Sequence, residues 1–468
     1  MELNGQKVLV IGLAKSGIGA AALCAKAGAL VSVSDGKAAE ALAEQLESLK
    51  SQGVTADQMI LGRAPSDEEA ASFDLIVPSP AVPADAPYLV YAQEKGVKVV
   101  SEIELASWFC KAPMIGITGT NGKTTTTTLI GEILKAWNPA SVAAGNIGTA
   151  FTTLADTIPE DAMAVLELSS FQLETIDTFK PHISAILNFT PDHLNRHHTY
   201  ENYVAAKCRV FENQTAEDFC VLNFDDPLVR EKGEALEEAA QRGENKPRVI
   251  WFAHNEKKKG GVWCENGWIM ADLDTETVEV VRLDDLQIIG AHNEENAMAA
   301  AACCLRAGIP LATVREEMTR FKGVAHRIEK VGVVDGVTYY NDSKGTNPDA
   351  AIKGLLAMRS EQTVLIGGGY DKGTPYDDWC KLFPGRVREL VLIGVTAGDI
   401  EACAIRWGFP KEQIYRAETF AEAVEECRKA AKPGDSVLLS PACASWGMFD
   451  NYEQRGDIFR SMVQSMNA

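Results

Sequence analysis

Residues 116–128 read Gly-Ile-Thr-Gly-Thr-Asn-Gly-Lys-Thr-Thr-Thr-Thr-Thr, directly after the short apolar run Met114–Ile115. Spaced glycines followed by Lys-Thr describe a phosphate-binding loop entering a helix. Its backbone N–H groups and the helix N-terminus can cradle the oxygens of a nucleotide triphosphate. Lys123 is placed to reach the β/γ-phosphates, and Thr124 to put its hydroxyl on Mg²⁺. A strict G-x(4)-G-K-[ST] pattern needs glycine at 117, where Ile117 stands; the glycines fall at 116, 119 and 122. The competing reading is an ordinary glycine turn before a helix. The amphipathic stretch that follows (Leu129, Ile133, Leu134, Trp137) argues against it.

Other groups lie downstream. Val165-Leu-Glu-Leu-Ser-Ser-Phe-Gln-Leu-Glu174 places Glu167 near the C-terminal end of an apolar strand. Ligands of open α/β sheets bind at that edge, where a carboxylate is a natural Mg²⁺ ligand. An acid buried there by chance would be costly. Asn188-Phe-Thr-Pro-Asp-His-Leu-Asn-Arg-His-His198 also follows a strand. His193, His197 and His198 raise the question of zinc, but no Cys or Glu completes a ligand set. A phosphate- or carboxylate-facing loop is the preferred reading, with a solvated polar loop as the alternative. Tyr200–Asn213 reads as a helix, and by sequence alone Lys207 within it is a surface lysine. Further polar clusters are Ala325-His-Arg327, Asn341-Asp-Ser-Lys-Gly-Thr-Asn-Pro348, Gly367-Gly-Gly-Tyr-Asp-Lys372 and Ser440-Pro-Ala-Cys-Ala-Ser-Trp446. Cys443 has no histidine near it in sequence, so it reads as a packed thiol rather than a nucleophile.

These groups need elements to hold them. The first segment alternates strands (Lys7–Leu13, Val31–Ser34, Leu75–Pro78, Val97–Val100) with helical stretches, which implies a parallel sheet. Its first turn, Gly12-Leu-Ala-Lys-Ser-Gly17, carries Ala14 in place of the middle glycine of a dinucleotide fingerprint. Asp35 follows at the distance of a ribose contact. A helix over Ile103–Cys110 opens the second segment. Strands at Ala164–Leu168, Ile183–Asn188 and Cys220–Asn223 follow, with a hairpin around Asn266-Gly267 and an alanine-rich helix over Asn293–Ala307. The third segment repeats the rhythm at Val337–Tyr340, Val364–Gly367, Leu390–Ile393 and Val437–Leu439. The reading is three α/β domains: residues 1–102 Rossmann-like, 103–323 P-loop ATPase-like and 324–468 Rossmann-like.

Composition narrows the function. The chain has 468 residues, about three domains' worth. It carries 65 acids against 45 bases, a formal charge of −20. That argues against nonspecific nucleic-acid binding and against attraction to an anionic membrane. Eleven scattered cysteines without a framework read as free thiols in a reducing cytoplasm. No signal or membrane-spanning stretch is apparent, and nothing in the sequence demands more than a monomer.

Taken together, Gly119-Thr-Asn-Gly-Lys-Thr-Thr125, Glu167-Leu-Ser-Ser-Phe-Gln-Leu173, Asp192-His193, Lys207, His292-Asn293, His326-Arg327, Asn341-Asp-Ser-Lys344 and Ser440-Pro-Ala-Cys-Ala-Ser445 resemble the Mur ligase family of bacterial cell-wall (peptidoglycan) synthesis. The resemblance runs over essentially the whole chain, and the Ser169-Ser-Phe-Gln-Leu173 and Ser440-Pro-Ala-Cys-Ala-Ser445 stretches are similar to the branch that adds D-glutamate. It implies ATP-dependent amide formation through an acyl phosphate, with UDP-N-acetylmuramoyl-L-alanine as acceptor and D-glutamate as amine. It also implies two Mg²⁺ sites, held by Thr124, Glu167, His193 and a Lys207 carbamylated by CO₂, which reverses the surface reading of that lysine. Lys123, Glu167, His193, Lys207, His326 and Lys344 would be catalytic. Gly119, Thr120, Asn121, Gly122, Lys123, Thr124, Thr125, Asn293, Asn296, Arg327 and Asp342 would hold the nucleotide. Gly12, Ser16, Gly17, Asp35, Lys37 and Asn146 would bind the acceptor, and Lys344, Thr346, Lys372, Ser445 and Tyr452 the amino acid. Asn195 and Gly447-Met448 depart from the family pattern. The competing readings are a nicotinamide dehydrogenase, which leaves the phosphate loop unused; a folylpolyglutamate-type ligase, which gives no reason for the N-terminal sheet; and a non-catalytic nucleotide-binding module.

Overall fold

Strands that are apolar on both faces must be covered on both, and each of the three sheets solves this with helices. The computed structural model describes residues 3–466 apart from 255, 274, 275, 359, 361 and 372. The chain forms two compact units, residues 1–283 with 295–319, and residues 284–294 with 320–468.

The first unit contains two sheets. Five parallel strands run in the order Met59–Leu61, Leu30–Asp35, Lys7–Ile11, Leu75–Pro78, Lys98–Val99. One face buries Val8, Val10, Val31, Val33 and Val77 against Ile18, Ala21 and Cys24 of the helix Lys15–Lys26. The other buries Leu9, Ile11 and Ile76 against Phe73, Leu89 and Ala92. The first strand ends at Ile11 rather than Leu13, because Gly12 turns the chain at φ 93°. The order reverses beside this strand, which opens a crevice at the C-terminal edge.

The second sheet has nine strands, ordered Val278–Arg282, Trp268–Ala271, Val262–Glu265, Arg248–Ala253, Phe219–Asn223, Ile183–Ile186, Met114–Thr118, Ala164–Glu167, Val142–Gly145. All pairs are parallel except the terminal hairpin and its neighbour. Asn266 and Gly267 both take positive φ, as a two-residue hairpin turn requires. The helix Lys123–Trp137 buries Leu129, Ile130, Ile133 and Leu134, while Trp137 at its end is exposed. The helix expected over Tyr200–Asn213 stops at Cys208, and a single 3₁₀ turn, Arg209–Phe211, follows. Tertiary bonds set this end. The Arg209 guanidinium donates to the carbonyls of Leu173 (3.1 Å), Glu174 and Ile176 (2.7 Å).

The second unit holds six strands in the order Glu329–Val334, Val337–Asn341, Ser436–Leu439, Thr363–Gly368, Val387–Ile393, Ile414–Arg416. Only the first is antiparallel to its neighbour. Trp379, Phe383, Leu392 and Leu438 fill one face, and Tyr339, Val391, Val437 and Phe459 the other. Among the described residues no helix is long and apolar enough to cross a membrane.

Candidate active site

Parallel pairing decides which loops meet. The phosphate-loop strand lies between Ala164–Glu167 and Ile183–Ile186, with Ile117 opposite Glu167 and Thr118 opposite Ile186. The segments after all three strands therefore leave one edge of the sheet side by side. The sequence motifs at 119–125, 167–173 and 188–198 are brought together for this reason.

The phosphate loop is braced by its neighbour. The Thr120 N–H donates to the Asn188 carbonyl (3.0 Å), and the Asn121 N–H to Asn188 Oδ1 (2.9 Å). The Thr120 hydroxyl donates to the Thr190 carbonyl (3.1 Å) and lies 2.9 Å from the Tyr203 hydroxyl. Gly122, at φ 86°, starts the helix without a side-chain cap, so first-turn N–H groups are presented to an anion. A Cβ on Gly122 would collide with Asn296 Oδ1, which places the expected nucleotide residue Asn296 against this loop. Lys123 Nζ folds back onto the carbonyls of Gly119 (2.9 Å) and Thr120 (2.8 Å). Thr125 is buried, and Thr124 is half-buried at the helix start.

Glu167 is 3% exposed. Its Oε1 accepts from Asn146 Nδ2 (3.1 Å), while its Oε2 is buried with no partner among the described residues. Such an orphan is costly unless a cation or water meets it. Asn146, expected on the acceptor, thus also orients this carboxylate.

Lys207 corrects the reading of it as a surface lysine: it is 2% exposed. The helix Tyr200–Cys208 turns it inward, where its Nζ donates to the Gly119 carbonyl (2.8 Å) and lies 4.8 Å above the Tyr203 ring. Burial, then the neighbouring Lys123 charge, holds its pKa well below the ordinary lysine value, against the pull of Asp192 and Glu167. The amine is biased toward its neutral, nucleophilic form.

His193 stands in the left-handed region at φ 52°, its ring half-exposed and edge-on to Phe171 at 4.9 Å. The three clustered histidines do not converge on one point. His193 approaches Asp192 (3.5 Å), His198 approaches Asp85 (3.1 Å), and buried His197 meets Ser170 (2.9 Å) and Glu174 (3.2 Å). Burial and Arg196 push the His197 pKa down to about 4, so this imidazole is neutral and structural.

At the first sheet, Asp35 accepts from the Leu13 N–H (2.8 Å) and the Lys37 N–H (2.9 Å), which fixes the turn expected to hold the acceptor. A Cβ on Gly17 would strike the Gly12 carbonyl, so this close packing needs glycine. The Ser16 carbonyl accepts from the Thr152 hydroxyl (2.9 Å).

In the second unit, Asn293 donates to the Ile289 carbonyl (2.8 Å). The loops after Val337–Asn341 and Ser436–Leu439 are neighbours by strand order. His326 is buried, with Asn341 Nδ2 3.1 Å from its Nδ1. Asp342 accepts from the Ser440 hydroxyl (2.6 Å) and the Ile328 N–H (3.2 Å). Burial pushes its pKa up to about 7, against Ser440 and the Arg327 charge. Lys344 Nζ lies 5.6 Å above the Tyr452 ring, Ser445 is buried and Thr346 half-buried. Cys443 is a buried thiol against Tyr376 and Thr396, as expected of a packed cysteine. Lys372 lies outside the described residues. Sequence reasoning gave no role to Asn188 or Tyr203, which brace the loop. Asn188 had a signal, a polar residue just after a strand beside the loop, whereas Tyr203 is an ordinary helix residue until folded.

Three family descriptions match: Mur ligase MurD-like N-terminal domain over residues 6–101, Mur ligase middle domain over 117–304, and the glutamate ligase domain of Mur ligases over 326–443. Proteins named UDP-N-acetylmuramoylalanine–D-glutamate ligase align along the full length of both chains. That of Lachnospira eligens is 44% identical, covering 100% of each chain. That of Clostridioides difficile is 43% identical, again covering 100% of each. Among solved structures, UDP-N-acetylmuramate–alanine ligase of Thermotoga maritima has a TM-score of 0.57 at 20% identity, over 98% of this chain and 99% of that one. A pseudomurein peptide ligase of Methanothermus fervidus has a TM-score of 0.56 at 19% identity, over 99% of this chain and 100% of that one; both show the three-domain α/β fold alone. With three matched domains in series and full-length relatives above 40% identity, this chain belongs to the Mur ligase family.

Proposed function

We propose that this protein joins D-glutamate to the alanyl carboxylate of UDP-N-acetylmuramoyl-L-alanine, consuming ATP, as a cytoplasmic step of peptidoglycan precursor synthesis. The observation that carries the reading is full-length identity of 41–44% to ligases of that name. The chemistry-bearing residues of the first unit, gathered at one sheet edge, agree with it. We also place the domain limits at 1–102, 103–323 and 324–468.

In this reaction the acceptor carboxylate oxygen attacks the γ-phosphorus of ATP, giving an acyl phosphate and ADP. The amine of D-glutamate then attacks the acyl carbon and loses a proton. The tetrahedral intermediate collapses to amide and inorganic phosphate. The difficulty is bringing a carboxylate to a triphosphate, so charge must be neutralised in place. The loop N–H groups and Lys123 take the phosphates. Asn293, Asn296, Arg327 and Asp342 are assigned to the rest of the nucleotide. Gly12, Ser16, Gly17, Asp35, Lys37 and Asn146 are assigned to the acceptor. Lys344, Thr346, Lys372, Ser445 and Tyr452 are assigned to the amino acid.

The donor set fits Mg²⁺: Thr124 and the unpartnered Glu167 Oε2 are hard oxygen ligands, and His193 presents an exposed imidazole. Bound there, at the two sites the family resemblance implies, Mg²⁺ supplies positive charge that lets the acceptor carboxylate approach the triphosphate. Lys207 as an amine is a poor ligand for such a hard ion, which prefers oxygen donors. Its neutral form adds to CO₂ with loss of a proton, and the resulting carbamate is anionic, which fits.

The reading is tested by phosphate release from ATP with UDP-N-acetylmuramoyl-L-alanine, comparing D-glutamate, L-glutamate and meso-diaminopimelate. Release with D-glutamate only is expected. Release with another amino acid keeps the ligase and overturns the substrate. A related Mur or folylpolyglutamate-type specificity is the second reading under that outcome.

A further inference from the structure

Arg455 is 0% exposed, in the first turn of the helix Tyr452–Ser465. A buried guanidinium is costly unless its donors and its charge are met. Here its partners are neutral. Nε donates to the Ser343 hydroxyl (2.8 Å), Nη2 to the Ser343 carbonyl (2.7 Å), and Nη1 and Nη2 both reach the Cys443 carbonyl at 3.4 Å. The Ser343 hydroxyl in turn donates to the Tyr452 carbonyl (2.8 Å). Among the described residues, no carboxylate is within ion-pair distance of it. The nearby acid, Asp342, is turned to Ser440 and Ile328 instead.

The bonds of Arg455 connect two loops. Ser343 precedes Lys344, and Cys443 lies two residues before Ser445. Within the second loop Ala442 is held at φ 57°, a left-handed conformation that is unfavourable for a non-glycine residue and persists only when its surroundings over-determine it. The bracketing ties are Ser440 to Asp342 on one side and Cys443 to Arg455 on the other.

We infer that Arg455 is a positioning residue for the amino-acid substrate: a buried cation that locks the loops 341–346 and 440–446 in their receiving conformation and whose charge, unmatched by an ion pair, favours an amino acid with a second carboxylate. This rests on the reading of the protein as a D-glutamate ligase and extends it to a residue that does not touch substrate.

The experiment starts with wild-type kinetics, because absence of D-glutamate turnover there overturns the underlying reading and this inference with it. Given wild-type turnover, Arg455→Gln, Arg455→Lys and Ser343→Ala are compared for KM of each substrate, kcat and thermal midpoint. Arg455→Gln is expected to raise the KM for D-glutamate about 10-fold or more while the KM values for ATP and acceptor change less than about twofold. Arg455→Lys, which keeps the charge and loses the fork, should recover part of that loss. A lower midpoint with an unchanged KM for D-glutamate, or equal changes in all three KM values, makes the residue merely structural and overturns the inference. Should Arg455→Gln not fold, Ser343→Ala decides. It removes one tie without burying a new group, and an unchanged KM for D-glutamate overturns the inference.

Discussion

At the residue scale, the site rests on groups held in forms they would not take in water. Lys207 is the clearest case. Its pKa is lowered by burial and by Lys123, so the folded protein releases a proton that the unfolded chain keeps up to the ordinary lysine range. Carbamate formation needs that neutral amine, and acid reverses it. On the proposed carbamate role, Lys207→Ala should lose about 10²-fold or more in kcat. Wild-type activity in CO₂-free buffer should fall as the pH is lowered and return on adding bicarbonate. Full activity of both proteins without CO₂ would sink the carbamate. Gly122 tests the loop from another direction. Alanine there must adopt φ 86° and meet Asn296 Oδ1. A left-handed alanine costs about 1–2 kcal/mol before any collision, so Gly122→Ala should lower the thermal midpoint and weaken ATP binding. Unchanged values of both would show that the loop relaxes freely.

At the element scale, a buried acid ties the short helix Glu102–Ser107 to the turn after the Glu167 segment. Glu104 is 0% exposed and accepts from the N–H groups of Asp177 (2.9 Å), Thr178 (2.9 Å) and Phe179 (2.7 Å), from the Thr178 hydroxyl (2.5 Å) and from the Trp108 indole (2.7 Å). Removing it strands several buried donors, at about 1–3 kcal/mol each. Glu104→Ala should therefore cost roughly 3 kcal/mol or more in urea unfolding, and Glu104→Gln distinctly less. A loss below about 1 kcal/mol for Glu104→Ala would mean that water replaces the carboxylate. Nothing at this scale was visible in the sequence, where Ile103–Cys110 reads only as a helix.

At the scale of the whole molecule, buried acids give stability a pH dependence of unusual sign. Glu102 is pushed up to about 7 by burial, against the amide of Gln172 that donates to it (2.8 Å). Among the described residues its other oxygen is buried without a partner, and Glu102 lines a small cavity together with Glu174 and Arg196. Asp342 is raised to about 7 as well. A raised carboxylate keeps its proton when folded while the unfolded chain releases it near 4.5 for glutamate. The unfolded state then binds fewer protons, and stability falls as pH rises from about 4.5 to 7. Glu102→Gln removes that slope. Relative to wild type, the variant should gain stability from pH 5 to pH 8 in urea unfolding, and a constant difference across that range would refute the assignment. The sequence by itself determined the phosphate loop, Glu167 at a strand end and most strand positions, because these depend on local spacing and on alternating α/β pattern, and its combined motifs carried the resemblance to the family. Periodicity alone put Lys207 on the surface, which only the resemblance reversed, and it overran the helix after Tyr200, since neither burial nor the reach of the Arg209 guanidinium is encoded in local periodicity. Only the tertiary structure decided that three distant segments share one sheet edge, that Glu167 keeps an unmatched oxygen and that Arg455 is enclosed by neutral groups. Strand order and burial set those facts, and both belong to the packed chain.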